Sequence, residues 1–390
     1  MITFEEASAI VAGEAKLLSV ESIDLSESAG RVLAADVFSD MDMPPFDKSA
    51  VDGFACRRQD IDNPLRIIET IAAGHVPEKE IGINECSRIM TGAMIPKGAD
   101  VVLMVEHTEM AGPELVRFDG SQPAANICFM AEDIHKGDKV LSAGTRIRPQ
   151  HVAVLASVGC YSPKVYTRAV IGIISTGDEL VEPKEQVPAG KIRNSNGWQL
   201  LAQALNTGCS ARYFGIAADT PQSTLQKITQ AEAECDIIIL TGGVSMGDFD
   251  YVPGVIKQAG YKTLFQSIAV QPGKPSVFAV KDNKYLFGLP GNPVSSFVQF
   301  ELLVKLLLDK ITGNTESPVI IQMPLGKNYS RRRTDRKAFL PVYIKQNEVF
   351  PVEYHGSAHI HAYVAAYGII AVNIGQTEIT KGTLVDVRQI

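Results

Sequence analysis

The chain has 390 residues, 45% of them hydrophobic and 21% charged, with a formal net charge of −7 and a mean hydropathy of +0.06. That length predicts two to four domains rather than one core, and the composition excludes a disordered or fibrous protein. The acidic balance excludes a general nucleic-acid-binding role, which wants a basic face, and no apolar run is long enough to cross a bilayer.

The first ten residues, MITFEEASAI, are acidic rather than basic, which argues against a secretory signal and for the cytoplasm. Phe4, Ala7, Ile10, Val11, Leu17 and Leu18 share helical spacing and predict a helix over 4–19. Thr3 and Glu6 stand in a capping-box pattern at its start. Residues 40–55, DMDMPPFDKSAVDGFA, mix Pro44, Pro45 and Gly53 with aspartates and predict a loop of fixed shape. A charged, solvated loop is the default for such a stretch, but the prolines and Phe46 point to an ordered one, and ordered acidic loops often carry function.

Over 65–145, short runs such as RIIETIAA, SRIMTGA and DVVLMVE alternate with Gly, Pro, Asn and Asp, predicting a β-rich module. HVAVLASVG (151–159) returns to helical character. Packing of this segment on the N-terminal helix would make the β-rich module an insertion. The six cysteines, at 56, 86, 128, 160, 209 and 235, form no CxxC pair and fit buried free thiols in a reducing compartment.

From 168 to 313 strands and helices alternate, AVIGIIST being a continuous apolar strand and CDIIILTGG a second strand. That rhythm predicts a doubly wound, mostly parallel α/β sheet covered on both faces. Residues 314–390 return to alternating strands, PVIIQMPL, AFLPVYI, GIIAVNI and TLVDVRQI, and predict a small β-barrel or sandwich.

Open parallel sheets bind ligands at the carboxyl ends of their strands. Three loops fall at such ends: 175–180 (STGDEL), 241–248 (TGGVSMGD) and 288–293 (GLPGNP). Glycines let backbone N–H groups turn toward an anion, and helix N-termini add partial positive charge. A phosphorylated small molecule is the predicted occupant. Asp178, Glu179, Asp248 and Asp250 are odd neighbours for an anion unless a divalent cation such as Mg2+ joins them. Asp248 stands where a P-loop needs lysine, and no GxGxxG follows a strand, so Walker A and dinucleotide-fingerprint readings fail. Any single glycine-rich turn is more often plain strand-to-helix geometry; three at one edge favour a site. Lys274, in the PGKP turn at 272–275, is either a solvated turn residue or a lysine aimed at a phosphate. His355, His359 and His361 invite a zinc reading, with the last two on one face of a strand, but no cysteine stands near in sequence, and surface or packing roles are preferred.

Seven motifs then point one way: MPPFDKSAVDGFA (43–55), RIMTGAMIPKGADVVLMVE (88–106), AEDIHKGD (131–138), ISTGDEL (174–180), TGGVSMGDFDY (241–251), PGKP (272–275) and GLPGNPVSS (288–296). With these the chain resembles the molybdopterin molybdenumtransferases, whose vertebrate counterpart is the E domain of gephyrin. The resemblance runs over essentially the whole chain. It implies an elongated N-terminal domain (1–41 and 141–166), a β-rich inserted domain (42–140), a molybdopterin-binding α/β domain (167–313) and a C-terminal β-barrel (314–390). It also implies a homodimer in which one subunit's insertion faces the other's α/β domain. The adenylyl-transferring protein of the same pathway is the implied partner.

The implied reaction takes adenylylated molybdopterin and molybdate with Mg2+, cleaves the phosphoanhydride, and releases molybdenum cofactor and AMP. By matching motif, the acidic site residues are Asp52, Asp133, Glu179, Asp219 and Asp250, of which Glu179, Asp219 and Asp250 would hold the metal. The implied binding positions are Thr91, Gly177, Asp178, Gly242, Gly243, Ser245, Gly247, Lys274, Pro290, Gly291, Asn292, Pro293 and Ser357. The chain departs from the family where lysines often precede PGKP, here Gln266 and Gln271, and where a site arginine aligns with Pro341, although Arg336 is near. Each missing cation at a partly buried dianion site costs about 1 kcal/mol or more. The alternatives are a weak paralogue acting as a molybdopterin-binding or scaffold protein, and a tungstate-selective enzyme.

Overall fold

The computed structural model describes residues 1–244, 251–353, 356 and 358–390. It divides into two compact units: a larger one of Met1–Ala35, Ala143–Arg148 and Ser162–Ile390, and a smaller one of Asp36–Ser142 and Pro149–Tyr161.

Helix α1 (Phe4–Glu14) starts where predicted, with Thr3 Oγ1 accepting from Glu6 N at 3.1 Å and Glu6 Oε2 accepting from Thr3 N at 2.7 Å. It stops five residues short of Ser19. Lys16 N donates to Tyr285 Oη at 2.8 Å and Leu18 N to the Ile311 carbonyl at 2.8 Å, so tertiary acceptors replace the helical ones. Ala7 and Val11 enter the core of the larger unit. Pro149–Ser157, helix α2, belongs instead to the smaller unit and buries only Leu155.

The smaller unit is built on six strands: β1 (Gly53–Cys56), β2 (Leu65–Ile71), β3 (Glu85–Ile89), β4 (Val101–Met104), β5 (Thr108–Gly112) and β6 (Leu115–Phe118). Their order is β4-β1-β3-β2-β6-β5, antiparallel except for β2 beside β3. Side chains alternate between two cores. Phe54 and Cys56 join Leu65, Val101 and Leu103, while Ala55 joins Ile71, Ile89 and Val102. A Cβ on Gly53 would overlap the Leu103 carbonyl, so only glycine lets β1 and β4 pair this closely.

The larger unit carries β7 (Val170–Thr176), α3 (Asn196–Asn206), β8 (Ser210–Ala217), α4 (Pro221–Glu234), β9 (Ile237–Thr241), α5 (Val252–Gln258), β10 (Lys262–Ser267), β11 (Pro275–Lys281) and β12 (Lys284–Leu289). A long helical segment follows, α6 (Pro293–Gln299), a π turn over Phe300–Val304, and α7 (Lys305–Ile311). The sheet order is β8-β7-β9-β12-β11-β10. The first four strands are parallel and the last two antiparallel. Strand β10 is new relative to the sequence reading; its KTLFQS lies at an edge and buries only Phe265. The other strands answer to their apolar runs, β9 being buried at every position.

The pairing register sets Ser175 beside Thr241, Thr241 beside Leu289 and Thr176 beside Ala217. The loops after β7, β8, β9 and β12 therefore leave the sheet at one level.

The C-terminal strands β13 (Ile320–Pro324), β14 (Lys337–Lys345), β15 (Glu348–Pro351), β16 (Gly368–Val372) and β17 (Leu384–Gln389) pair antiparallel in the order β15-β14-β16-β17-β13. A bridge between Leu325 and Val349 brings the two ends together, closing a small barrel around Leu340, Val342, Ile370 and Val387.

Candidate functional site

The loop after β7 and the loop after β8 are tied to each other by two aspartates. Asp178 N donates to Asp219 Oδ2 at 3.0 Å, and Asp219 N donates to Asp178 Oδ1 at 3.0 Å. Both side chains are exposed. Tyr251, just before α5, places its hydroxyl 3.3 Å from Asp219 Oδ1 and 3.3 Å from Thr224 Oγ1. Burial pushes that phenol up, and the negative charges of Asp219 and Asp178 add to the effect. Lys191 Nζ donates to the Asp178 carbonyl. Gly177 has φ +146°, and a Cβ there would lie 2.7 Å from the Glu179 carboxyl carbon, so Glu179 folds back over the turn. Asp178 and Asp219 thus tie the two loops together, and Glu179, next to Asp178 in the chain, stands on the rim of a cavity.

Below the rim is a cavity of about 450 Å³, lined by Thr176, Glu179, Asn194, Asn196, Thr241 and Gly291 among others. Its floor is a directional polar network. Ser175 Oγ and Gly197 N donate to Asn194 Oδ1 at 3.0 and 3.1 Å. Asn194 Nδ2 donates to Tyr213 Oη at 2.5 Å, which donates to Glu182 Oε1 at 2.6 Å. Tyr213 is pushed up, first by burial and then by Glu182. Asn196 Nδ2 donates to Thr241 Oγ1 at 3.0 Å and to the Gly291 carbonyl at 2.7 Å, while Thr241 Oγ1 donates to the Pro290 carbonyl at 3.2 Å. One asparagine so fastens the ends of β9 and β12 to the start of α3. Asn194 and Asn196 read in sequence only as residues near a helix start.

The glycines act differently from expectation. The Gly242 amide donates to the Leu289 carbonyl at 3.2 Å, and the Gly177 amide reaches the Ala217 carbonyl at 3.5 Å. Neither amide is turned out toward an anion. At φ +101°, Gly242 packs its α-carbon where a Cβ would overlap the Thr176 carbonyl. Its role is close approach between loops. Pro290 is buried, Gly291 and Asn292 are exposed, and Pro293 opens α6 with Asn292 at its N-cap.

Lys274 is exposed, and its carbonyl accepts from Ile268 N at 2.9 Å. Gly273, at φ +104°, could not bear a Cβ without meeting Gln299 Nε2 at 2.6 Å. Gln266 and Gln271 are exposed, and Pro341 is buried within β14 opposite Ile369. Arg336 precedes β14 with Asp335 at 3.5 Å.

In the smaller unit the acidic loop is held by its own carboxylates. Asp52 Oδ1 accepts from Thr91 N and Thr91 Oγ1, both at 2.7 Å, and these bonds hold its carboxyl below the usual range. Asp47 Oδ1 accepts from Met130 N and Asp42 Oδ1 from Lys136 N, each at 2.7 Å. Asp133 N donates to the Met43 carbonyl at 3.0 Å, and its side chain is exposed. Asp52 and Thr91 are therefore one unit, and Asp133 borders the same loop.

Ser245, Gly247, Asp248, Asp250, His355 and Ser357 lie outside the described residues. His359 and His361 do not share a strand face: His361 sits in the 3-10 segment Ile360–Ala365 and His359 immediately before it. Among the described residues no group of three or more His, Cys, Asp or Glu is arranged to hold a metal. No helix among them is long and apolar enough to cross a membrane.

Comparison with known proteins gives the same picture over the full length. Residues 2–159 match the MoeA N-terminal region (domain I and II), 172–310 the probable molybdopterin binding domain, and 325–390 the MoeA C-terminal region (domain IV). The molybdopterin molybdenumtransferase of Staphylococcus epidermidis is 36% identical over 379 residues, covering 94% of this chain and 90% of that protein. That of Bacillus subtilis is 38% identical over 323 residues, covering 80% and 75%. The crystal structure of the molybdopterin biosynthesis MoeA protein from Pyrococcus horikoshii superposes with a TM-score of 0.86 at 29% identity, covering 100% of both chains. A fold that ends three strands at one polar cavity, three consecutive domain matches and relatives alike over nearly their whole length agree, and the chain belongs to the molybdopterin molybdenumtransferase family of molybdenum cofactor biosynthesis.

Proposed function

We propose that this chain inserts molybdenum from molybdate into adenylylated molybdopterin, cleaving the phosphoanhydride and releasing molybdenum cofactor and AMP. The observation that carries the reading is the polar cavity of about 450 Å³ lined by Thr176, Asn194, Asn196 and Thr241, with the exposed carboxylate of Glu179 at its edge and the Asp178–Asp219 pair on the adjoining loops. Such a site takes a ligand with a hydrogen-bonding body and a charged end.

Mg2+ fits the donor set. Carboxylate oxygens are hard ligands, and Mg2+ typically takes one or two of them with waters and substrate phosphates. When bound, it would neutralise charge on the anhydride oxygens. The chain's own part is positioning. The bonds between Asp178 and Asp219 fix the rim, Asn196 fastens the loops under it, and Glu179 and Asp219 face the phosphate end. Lys274 supplies a cation for the oxyanion. Ser245, Gly247, Asp250 and Ser357 complete the set on the resemblance alone.

The reading includes a cytoplasmic homodimer, with Asp52, Thr91 and Asp133 of one subunit serving the glycine-rich edge of the other. It also includes supply of substrate by the adenylyl-transferring protein of the pathway. Six free cysteines support a reducing compartment.

The test is AMP release from adenylylated molybdopterin on addition of molybdate and Mg2+. Bound substrate without AMP at any molybdate concentration would replace the enzyme reading by a second one, a molybdopterin-binding protein. Gln266, Gln271 and Pro341, uncharged where relatives of the resemblance carry cations, favour that second reading or a tungstate preference.

A further inference from the structure

Asn196 is only 8% exposed yet incompletely satisfied: its Oδ1 has no hydrogen-bond partner among the described residues. Its orientation is not open. The Gly291 carbonyl can only accept, so the amide nitrogen must face it, at 2.7 Å. The Thr241 hydroxyl spends its proton on the Pro290 carbonyl, so it too accepts from Asn196 Nδ2. The oxygen is thereby fixed as the unmet group. Thr176, 2% exposed and lining the same cavity, has an Oγ1 without a partner among the described residues. Buried polar atoms are nearly always paired, and a site built to pair them discriminates strongly for ligands that complete the bond.

We propose that Asn196 and Thr176 are specificity-determining residues that recognise the heterocycle of the bound substrate, with Asn196 Oδ1 accepting a hydrogen bond from a ring or amino N–H. This rests on the pterin reading above and goes further by assigning the polarity of the contact. The heterocycle is selected as a hydrogen-bond donor at this point, while the carboxylate rim serves the phosphate end. Asn196 lines the cavity, so Oδ1 favours a ligand donor that enters from it. A purely structural asparagine, whose task is to fasten the loops through Nδ2, would show no such preference.

The experiment measures dissociation constants of 6-hydroxymethylpterin and of inorganic phosphate for wild type, Asn196→Ala and Thr176→Val, with thermal unfolding of each. Asn196→Ala is expected to weaken pterin binding at least tenfold and phosphate binding less than twofold. Thr176→Val removes an unmet hydroxyl without changing shape, and is expected to keep or raise the unfolding temperature while weakening pterin binding several-fold. Equal weakening of both probes by Asn196→Ala, with unchanged pterin binding in Thr176→Val, would overturn the proposal and leave a structural role. Pterin binding unaffected in both variants would overturn it as well. Failure of the pterin reading itself looks different: wild type would bind no pterin.

Discussion

Asp178 and Asp219 each accept the other's backbone N–H at 3.0 Å, so two loops that begin 41 residues apart close on one pair of carboxylates. The pair has a structural task and, in the proposed function, a chemical one, and substitution separates them. Asp219→Asn keeps an acceptor for the Asp178 amide and removes the charge. It is expected to retain thermal stability and to lower AMP release at least tenfold, the deficit shrinking as Mg2+ is raised. Asp219→Ala removes both and is expected to cost about 1 kcal/mol of stability in addition. Equal activity of Asp219→Asn and wild type at limiting Mg2+ would confine the pair to loop geometry.

Asp52 gives a pH dependence whose sign follows from its bonds to Thr91. Those bonds hold its folded pKa below the unfolded value near 3.9. A depressed carboxylate contributes stability that is present above the unfolded pKa and lost as pH falls through the folded one. The window is therefore below about pH 4. Asp52→Asn and Thr91→Val are each expected to lose less stability than wild type between pH 5 and pH 2.5, read as the shift in urea midpoint. A fully exposed group contributes modestly, so the difference in slope is the quantity to compare.

Gly242→Ala tests the close approach of the loops. A methyl at φ +101° is strained by about 1–3 kcal/mol before any contact is counted, and here it meets Thr176 Oγ1 at 2.7 Å. The variant is expected to unfold several degrees below wild type and to lose ligand binding, whereas Gly291→Ala is expected to fold, since its Cβ meets only the Gly242 α-carbon at 3.6 Å. Comparable unfolding temperatures for the two would show that the loop relaxes around the methyl.

What could be read from sequence was what local chemistry encodes. The Thr3–Glu6 capping box spans four residues, and the apolar runs of β7 and β9 follow from burial on both faces of the sheet. The acidic loop was legible as ordered because Pro44 and Pro45 restrict its backbone and Phe46 follows them, although its last residues from Gly53 on form strand β1. Asn196 was not legible. Its partners Thr241 and Gly291 lie 45 and 95 residues away, and a polar residue at a helix start has many local explanations. Strand β10 was missed for a related reason: an antiparallel edge strand needs little apolar surface, so its sequence carries little pattern. The early stop of α1 depends on acceptors at Tyr285 and Ile311, which no window around residue 15 contains.

Gln271 offers a gain-of-function test of the oxyanion end. It is exposed, beside the Lys274 turn, and its strand partner is Ala338 at the start of β14. Gln271→Lys adds a cation without disturbing a buried contact. About 1 kcal/mol of added attraction corresponds to roughly a fivefold lower KM for molybdate, falling with ionic strength. The same change in KM for tungstate would mean that charge alone is read; a change for only one oxyanion would mean that Gln271 sets the choice between them.

Subunit sharing of the site has a test that needs no geometry. Asp52→Ala and Glu179→Ala are each expected to be inactive. If Asp52 of one chain serves Glu179 of the other, a heterodimer of the two variants contains one site with both residues intact. Equal mixing after dissociation makes about half of the dimers mixed, so about one quarter of wild-type activity should return. If both residues act within one chain, every site in the mixture carries one lesion and no activity returns. The mixed sample compared with either variant alone, at equal total protein, decides between these.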